Sequence, residues 1–407
     1  MIYDAIVIGG GPAGLMTCGV LNDKGINYLL LEKNSSLGKK LLITGGTRCN
    51  VTNNLNVDDF ISSLTMKHKR FLYASLNEYG PTDIKEYFKN NGLNLILEND
   101  FKYFPETNKS SSVLDVLKMN MNLSKVIYDS HVKNIRKDQE VFSILTKAGK
   151  TYTAHKVVVA TGSSSYPLTG SNGDGLNFAK KLGIDYKSFT PAETHIYSKY
   201  VTDNLADLQG VSLVHTSVRI KGTKIVNDGG LVFTHFGVSG PAILHSSEYI
   251  YEELENNKTS ISFNITEKSI DEVIELIEQG KTENKMILKV LEKLTTKRLS
   301  KKILDLIQLE NKNINEISKK DISRIIELLL HFTIPVDKVQ SKEKAFVNAG
   351  GIVTKEINPK TMEIKKVPGL YFIGETVDVH GPIGGFNITI ALSMGYKCGN
   401  SIDDSLK

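Results

Sequence analysis

Three textures of apolar and polar positions follow one another along the chain, and each predicts a different kind of element. After Asp4 the residues Ala5 to Ile8 are all apolar, as in a strand covered on both faces of a parallel sheet. A helix is expected from Pro12 to Lys24, with Leu15, Met16 and Val20 facing that sheet. A second strand, Tyr28 to Leu31, ends at Glu32 and completes a β-α-β unit of the usual size, about 30 residues. Lys156 to Ala160 and Leu370 to Ile373 read as two further buried parallel strands.

Between about Thr190 and Val339 the pattern changes. Val214, Thr216, Val218 and Ile220 alternate with His215, Ser217, Arg219 and Lys221, the period of a half-exposed antiparallel strand. Asn227-Asp228-Gly229-Gly230 reads as a turn, and Ser260 to Ile265 alternates again. From Ser269 the period is helical. Ser269 and Glu272 have capping-box spacing, and Ile270, Val273, Ile274 and Ile277 form one apolar face. Ile322, Ile325, Ile326 and Leu329 repeat that face, after a solvated helix or connection from Glu310 to Lys320. The expected fold is α/β: a nucleotide domain from 1–190 and 339–407, interrupted by a β-barrel (191–268) and a helical bundle (269–338).

Composition sharpens this a little. A chain of 407 residues exceeds one ordinary core, and 40% apolar with 23% charged residues is a globular balance. The net charge of +5 is mild, and basic residues cluster only at Lys297 to Lys302 and Lys319 to Lys320, which read as solvated faces. No nucleic-acid partner is expected on this ground. No apolar run reaches the ~18 residues of a membrane span, and no basic-then-apolar leader opens the chain, so a cytoplasmic protein is expected. Cys18, Cys49 and Cys398 are isolated, without the spacing of a zinc site or a redox disulfide.

Gly9-Gly10-Gly11-Pro12-Ala13-Gly14 fits G-x-G-x-x-G in the right context: after a strand, opening a helix, with Glu32 ending the next strand. Gly9 is expected to make the tight turn, Gly11 to let backbone approach a pyrophosphate, and Gly14 to let the helix lie close to the sheet. Pro12 suits the first helical turn, where its missing N–H goes unmissed. The helix N-terminus faces the phosphates, and Glu32 is placed to accept from ribose hydroxyls and to repel a 2′-phosphate.

A second glycine-rich segment, Gly38 to Asn53, follows soon after, with Lys40, Gly45, Thr47, Arg48, Cys49 and Asn50 as candidate cofactor contacts. Near the other end, Gly374-Glu375 closes a strand, and Asp378, His380, Gly384, Gly385, Phe386, Asn387 and Ile388 lead into a helix. A nicotinamide nucleotide has no need of this distant third contact, whereas an extended flavin does; the cofactor is therefore read as FAD. Gly170 to Gly175 does not fit a second dinucleotide fingerprint. NADH or NADPH, as electron donor, would have to dock transiently.

These segments resemble the BaiN-type family of FAD-dependent oxidoreductases, the aminoacetone oxidase-like flavoproteins. The matching stretches also include Phe104-Pro105, Ala160-Thr161-Gly162, Gly170 to Gly175, Phe233 to Pro241, Ala349 to Gly351 and Pro359 to Met362. The resemblance implies a glutathione-reductase-like Rossmann FAD domain carrying the insert. It also implies that Val132 holds adenine through backbone, and that Ala160, Thr161 and Gly162 pass beside the cofactor. Lys33, next to Glu32, is included among the cofactor residues. Thr47 departs from the family, which often has glycine there.

His380 is the first candidate proton donor, against the alternative of a loop histidine bonded to backbone. His235 is weighed as a substrate-side residue against a packed turn, and the turn is preferred. Three functions remain open: an oxidoreductase of a small molecule, with a conjugated double bond or an amine as target; an RNA-modifying flavoprotein; or an FAD-binding protein without turnover.

Overall fold

The computed structural model describes residues 1–406. Contacts divide it into two compact units, one of residues 1–190 with 342 onward, the other Pro191–Ser341.

In the first unit the strand Ile2–Ile8 pairs in parallel with Tyr28–Leu31 on one side and with Thr151–Val159 on the other. Ala5, Ile6 and Val7 are wholly buried, so the unbroken apolar run is covered on both faces. Thr151–Val159 starts earlier than the expected Lys156 because its first half serves another purpose. That half pairs antiparallel with Val141–Thr146, while Val157 to Val159 pair in parallel with Leu370–Phe372. The helix Pro12–Asp23 lies against the C-terminal helix Phe386–Leu406. A Cβ on Gly395 would sit 2.4 Å from Ala13 O, so glycine is what lets these two backbones touch. Thr52–Asn53, Lys102–Pro105 and Leu95–Glu98 form a small antiparallel sheet.

The second unit is built on a seven-stranded sheet whose order runs Phe332–Val336, Thr259–Phe263, Ser212–Ile220, Val226–Phe233, Gly237–Ser239, Ile196–Tyr197, Lys338–Val339. Its two edge strands are separated in sequence by Asp337 alone. The sheet must therefore curl until its edges meet, which is the condition for a barrel. The helices Ile270–Thr282, Ile287–Leu294, Lys297–Ile307 and Lys319–Leu330 share one apolar core with it. The stretch 269–338, expected as helical, thus ends in strands that belong to the sheet.

Three expectations need correcting here. Val214 is 85% exposed, because the strand register shifts between Leu213 and Thr216 and puts Leu213 in the core instead. The N–H groups freed at this bulge, on Val214 and His215, both donate to Glu267 Oε1, at 2.9 and 3.0 Å. Asn227 to Gly230 lie inside a strand, not at a turn. A Cβ on Gly229 would come within 3.0 Å of Ala242 N and 3.1 Å of Pro241 Cβ, so this glycine admits a helix start. The Ser269–Glu272 capping box forms as expected, but Ile270 and Ile274 are exposed, leaving Val273 and Ile277 as the buried stripe. No helix among the described residues is long and apolar enough to cross a membrane.

Candidate cofactor site

The glycines of the first turn differ in what requires them. Gly9 has φ +106°, and a Cβ there would lie 2.5 Å from Ala160 O. A Cβ on Gly14 would lie 2.1 Å from Gly9 O. Gly11 has φ −86°, open to any residue, and nothing within 4 Å of a would-be Cβ. Neither strain nor packing explains Gly11; room for a ligand does. The helix behind it carries no side-chain cap, and Pro12 brings no N–H, so its first turn is available to an anion. The pyrophosphate of FAD fits this cradle.

Glu32, 5% exposed, already holds the turn together. Its Oε2 accepts from Gly10 N at 2.7 Å, and its Oε1 from Asn34 N and Nδ2 at 2.8 and 2.7 Å. Oε2, with one donor, keeps acceptor capacity for a ribose hydroxyl. Lys33 faces elsewhere: its ammonium bonds Asn172 and, at 2.7 Å, Asp174. His131 stands 3.5 Å from the same carboxylate, and burial holds its imidazole below the usual range despite that charge. Val132 is buried at the start of Val132–Asp138, where a register shift before Asn134 breaks the ladder. Ala160 N donates to Ile8 O, and Gly162, at φ +73°, donates to Thr376 Oγ1 at 2.9 Å.

The second glycine segment is shaped by backbone conformation. Gly45, Gly46, Thr47 and Cys49 all have positive φ, from 55° to 71°. Thr47, at φ +71°, places a β-branched residue where the family's glycine would be unstrained. Two of the candidates here are otherwise engaged. Arg48 pairs with Glu98, donates to Asn108 Oδ1 at 2.8 Å and stacks on Phe104 at 4.2 Å, so its guanidinium braces the small sheet. Cys49 is fully buried, and burial pushes its thiol up to about 12. Asn50, with its amide oriented to satisfy both ends, accepts from Gly385 N at 3.1 Å and donates to Thr52 O at 2.9 Å.

Lys40, a candidate cofactor contact, is the centre of a polar cluster. Its Nζ lies 2.7 Å from Glu375 Oε2, 2.5 Å from Ser165 Oγ and 3.3 Å from Ser163 Oγ. Burial raises the Glu375 carboxyl, but the Lys40 charge and the bonds from Lys40 and Ser163 outweigh it, leaving the group below its ordinary value. Gly374 has φ +62°, and its Cβ would stand 3.0 Å from Ala13 Cβ. The cluster is therefore tied to the start of the fingerprint helix.

Beyond it, Asp378 is a buried anchor, 2.7 Å from Lys187 Nζ, 3.6 Å from His68 Nε2 and accepting from Gly350 N. His380 is 5% exposed. Asn387 clamps the loop, accepting from Gly381 N at 2.9 Å and donating to Gly381 O at 2.7 Å. Phe386 packs on Phe60 at 4.7 Å, and Ile388 is partly buried on the same core. A Cβ on Gly385 would fall 2.6 Å from the Thr52 backbone; Gly384, at φ +122°, adds a second glycine-only bend. The structure thus brings Gly9 to Gly14, Lys40 and Glu375 together, and sets Arg48, Lys33 and Asp378 to structural ion pairs. Ser163, Ser165, His68 and Lys187 escaped the sequence reading. Only the two serines carried a signal, since they directly follow Ala160-Thr161-Gly162.

In the second unit, Thr234 N donates to Gly237 O, and the Thr234 hydroxyl accepts from Gly237 N at 3.1 Å, so this segment is a packed turn, with His235 exposed on it. Phe236 lies 4.5 Å from His195 and 5.0 Å from Tyr197, and the Lys338 ammonium sits 4.9 Å over the Tyr197 ring. Aromatic and basic side chains far apart in sequence form one group here.

A family model described as HI0933-like protein Rossmann domain matches residues 3–401. The ribosomal RNA dihydrouridine synthase of Escherichia coli (strain K12) is 29% identical over 407 residues, covering 98% of each chain. The 3-dehydro-bile acid delta(4,6)-reductase of Clostridium scindens is 26% identical, covering 97% of this chain and 98% of its own. Among solved structures, 3-ketosteroid delta1-dehydrogenase from Sterolibacterium denitrificans superposes with a TM-score of 0.53 at 11% identity, over 99% of this chain and 100% of that one. That likeness speaks to the fold.

Proposed function

Because the chain belongs to the HI0933-like Rossmann family of FAD-dependent oxidoreductases, we propose that it reduces a carbon–carbon double bond conjugated to a carbonyl, with a uracil base of ribosomal RNA as substrate. The observation that carries this reading is the end-to-end match, 98% of both chains, to a ribosomal RNA dihydrouridine synthase. The 5,6 double bond of uracil is conjugated to its 4-carbonyl, and the bile acid reductase is likewise named for double bonds in a 3-dehydro, that is ketone-bearing, substrate. Hydride chemistry comes from the bound flavin. The chain's own residues hold it: the Gly11 cradle and the helix N-terminus take the pyrophosphate, Glu32 Oε2 a ribose hydroxyl, and the Lys40–Glu375 cluster lies beside that helix start. Phe236, Tyr197 and Lys338 supply rings and positive charge of the kind that stack and hold single-stranded bases. NADH or NADPH is the proposed electron donor, docking transiently.

The test begins with an anaerobic titration of the yellow protein by NADH and NADPH. Bleached enzyme is then offered unmodified ribosomal RNA or a free steroid enone. Reoxidation by RNA with formation of dihydrouridine is the expected result. Reoxidation by the enone alone would move the substrate to small molecules, the reading favoured by the bile acid reductase. A flavin that neither nucleotide reduces would overturn the reductase reading. His380 is proposed as proton donor: His380→Ala keeps FAD and slows turnover, and an unchanged steady-state rate removes His380 from the reaction.

A further inference from the structure

The motif Gly170 to Gly175 fits no dinucleotide fingerprint, and its loop instead closes on residues 32–34 of the same unit. Just before it, Thr169 O accepts from Asn34 Nδ2 at 3.1 Å. Asn172 accepts from the Lys33 ammonium, and Asp174 pairs with that ammonium at 2.7 Å. Gly170 has φ +94°, and a Cβ there would lie 2.5 Å from Asn34 Nδ2 and 3.0 Å from Lys33 Cε, so the loop comes this close only as glycine. From behind, the Ser171 hydroxyl and Gly173 N both donate to Ser163 O, at 2.9 and 3.0 Å. From the other side, Ser130 N donates to Glu32 O at 2.8 Å and Asp129 N to Asn34 O at 3.1 Å. Residues 32–34 are thus held between two loops.

This grip controls the Glu32 carboxylate. Its donors are three neutral N–H groups, and it takes part in no ion pair among the described residues, while Lys33 beside it is drawn off to Asp174. The backbone N and the carboxamide of Asn34 both fall on Oε1 and fill its two lone pairs. Oε2 receives Gly10 N alone, so the open acceptor position lies on the oxygen beside the glycine turn. Both partners of Asn34 Nδ2, Glu32 Oε1 and Thr169 O, are acceptors, which fixes the orientation of the amide and uses both its N–H groups.

We propose that Asn34 is a positioning residue for the adenosine ribose of FAD: it saturates Glu32 Oε1, so that Oε2 is left to accept the 2′-hydroxyl, and the 170–175 loop holds its amide in place. The proposal rests on the reading that Glu32 Oε2 takes a ribose hydroxyl. With Oε1 open, the carboxylate would be free to turn and would lose the direction that a hydrogen bond needs.

The test is a competition on the full-length protein. FAD-loaded chain is equilibrated with an excess of FAD and of its 2′-deoxyadenosine analogue in equal amounts, and the bound flavins are identified by mass. The parent should retain FAD over the analogue by about tenfold or more, the worth of a hydrogen bond to a charged group. Asn34→Leu, similar in size but without donors, should lower that preference to about threefold or less. Gly170→Ala, which pushes on the same amide from the loop, should lower it in the same direction. A general loss of stability weakens both flavins alike and leaves the ratio where it was. Asn34 is half-buried, and Asn34→Ala carries the test if the leucine variant does not fold. A parent that binds both flavins equally removes Glu32 from the ribose, and with it the reading beneath the proposal. A parent that discriminates, with Asn34 variants that discriminate as well, overturns the proposal alone.

Discussion

The turn Gly9 to Gly14 and the segment Thr44 to Cys49 are both rich in glycine, and they use it in different ways. In the first, neighbours demand it: Cβ atoms would strike Ala160 O and Gly9 O, and only Gly11 faces empty space. In the second, conformation is the common demand: four residues have positive φ, and although a Cβ on Gly45 would lie 2.9 Å from Asn50 N, one on Gly46 would meet nothing within 4 Å. A turn fixed by packing positions a ligand rigidly. A loop held mainly by dihedral angles, as at Gly46 and Thr47, tolerates a misfit such as Thr47 and stores its strain locally. Function in the first turn is therefore separable from stability at one residue, Gly11, and the sharpest tests lie there.

The largest effect is expected at Gly14. Gly14→Val drives a side chain into Gly9 O, 2.1 Å from the would-be Cβ, and should cost about 3 kcal/mol or more, seen as a fall in Tm of the FAD-free protein. Gly11→Val should leave that Tm nearly unchanged, yet abolish copurification of FAD. If Gly11→Val unfolds the apoprotein instead, the separation of ligand room from packing fails. If it retains full flavin, Gly11 is not the pyrophosphate cradle.

The same distinction explains what could be read from the sequence. The parallel strands were legible because burial on both faces leaves an unbroken apolar run, and the fingerprint because each glycine has one role at one spacing. Asn227 to Gly230 misled for a physical reason. A glycine pair signals either a turn or close passage of another backbone, and here it is the helix start at Pro241 that passes. Val214 was misplaced because a bulge bonded by Glu267, distant in sequence, shifts the register. Arg48, Lys33 and Asp378 carry charges that suit a cofactor, but charge alone does not name its partner. Glu98, Asp174 and Lys187 are brought to them only by the tertiary fold.

A middle-sized effect tests the cluster that ties the fingerprint helix to Gly374-Glu375. The Glu375 carboxyl is held below its ordinary value in the folded chain, so its contribution is complete above the unfolded carboxyl range, near pH 4.3. That contribution drains away as pH falls through the lower folded value, because the unfolded chain then binds the extra proton first. Glu375→Gln should therefore lower Tm at pH 7 and flatten its acid decline between about pH 5 and pH 3. A parallel decline in variant and parent would mean that the Lys40–Glu375 pair contributes nothing on folding.

The smallest effect distinguishes strain from use in the second loop. Thr47 at φ +71° carries a penalty of about 1–2 kcal/mol that glycine escapes, offset by the roughly 0.5–1 kcal/mol by which glycine's freedom favours the unfolded chain. Thr47→Gly should accordingly raise stability by about 0.5–1 kcal/mol, measurable in denaturant. The hydroxyl of Thr47 donates to Gly46 O at 2.5 Å and braces only its own loop. FAD affinity should then be unchanged by the substitution. A variant that gains stability but loses flavin would show that the second loop, like the first, gives up stability at one residue to make contact with its ligand.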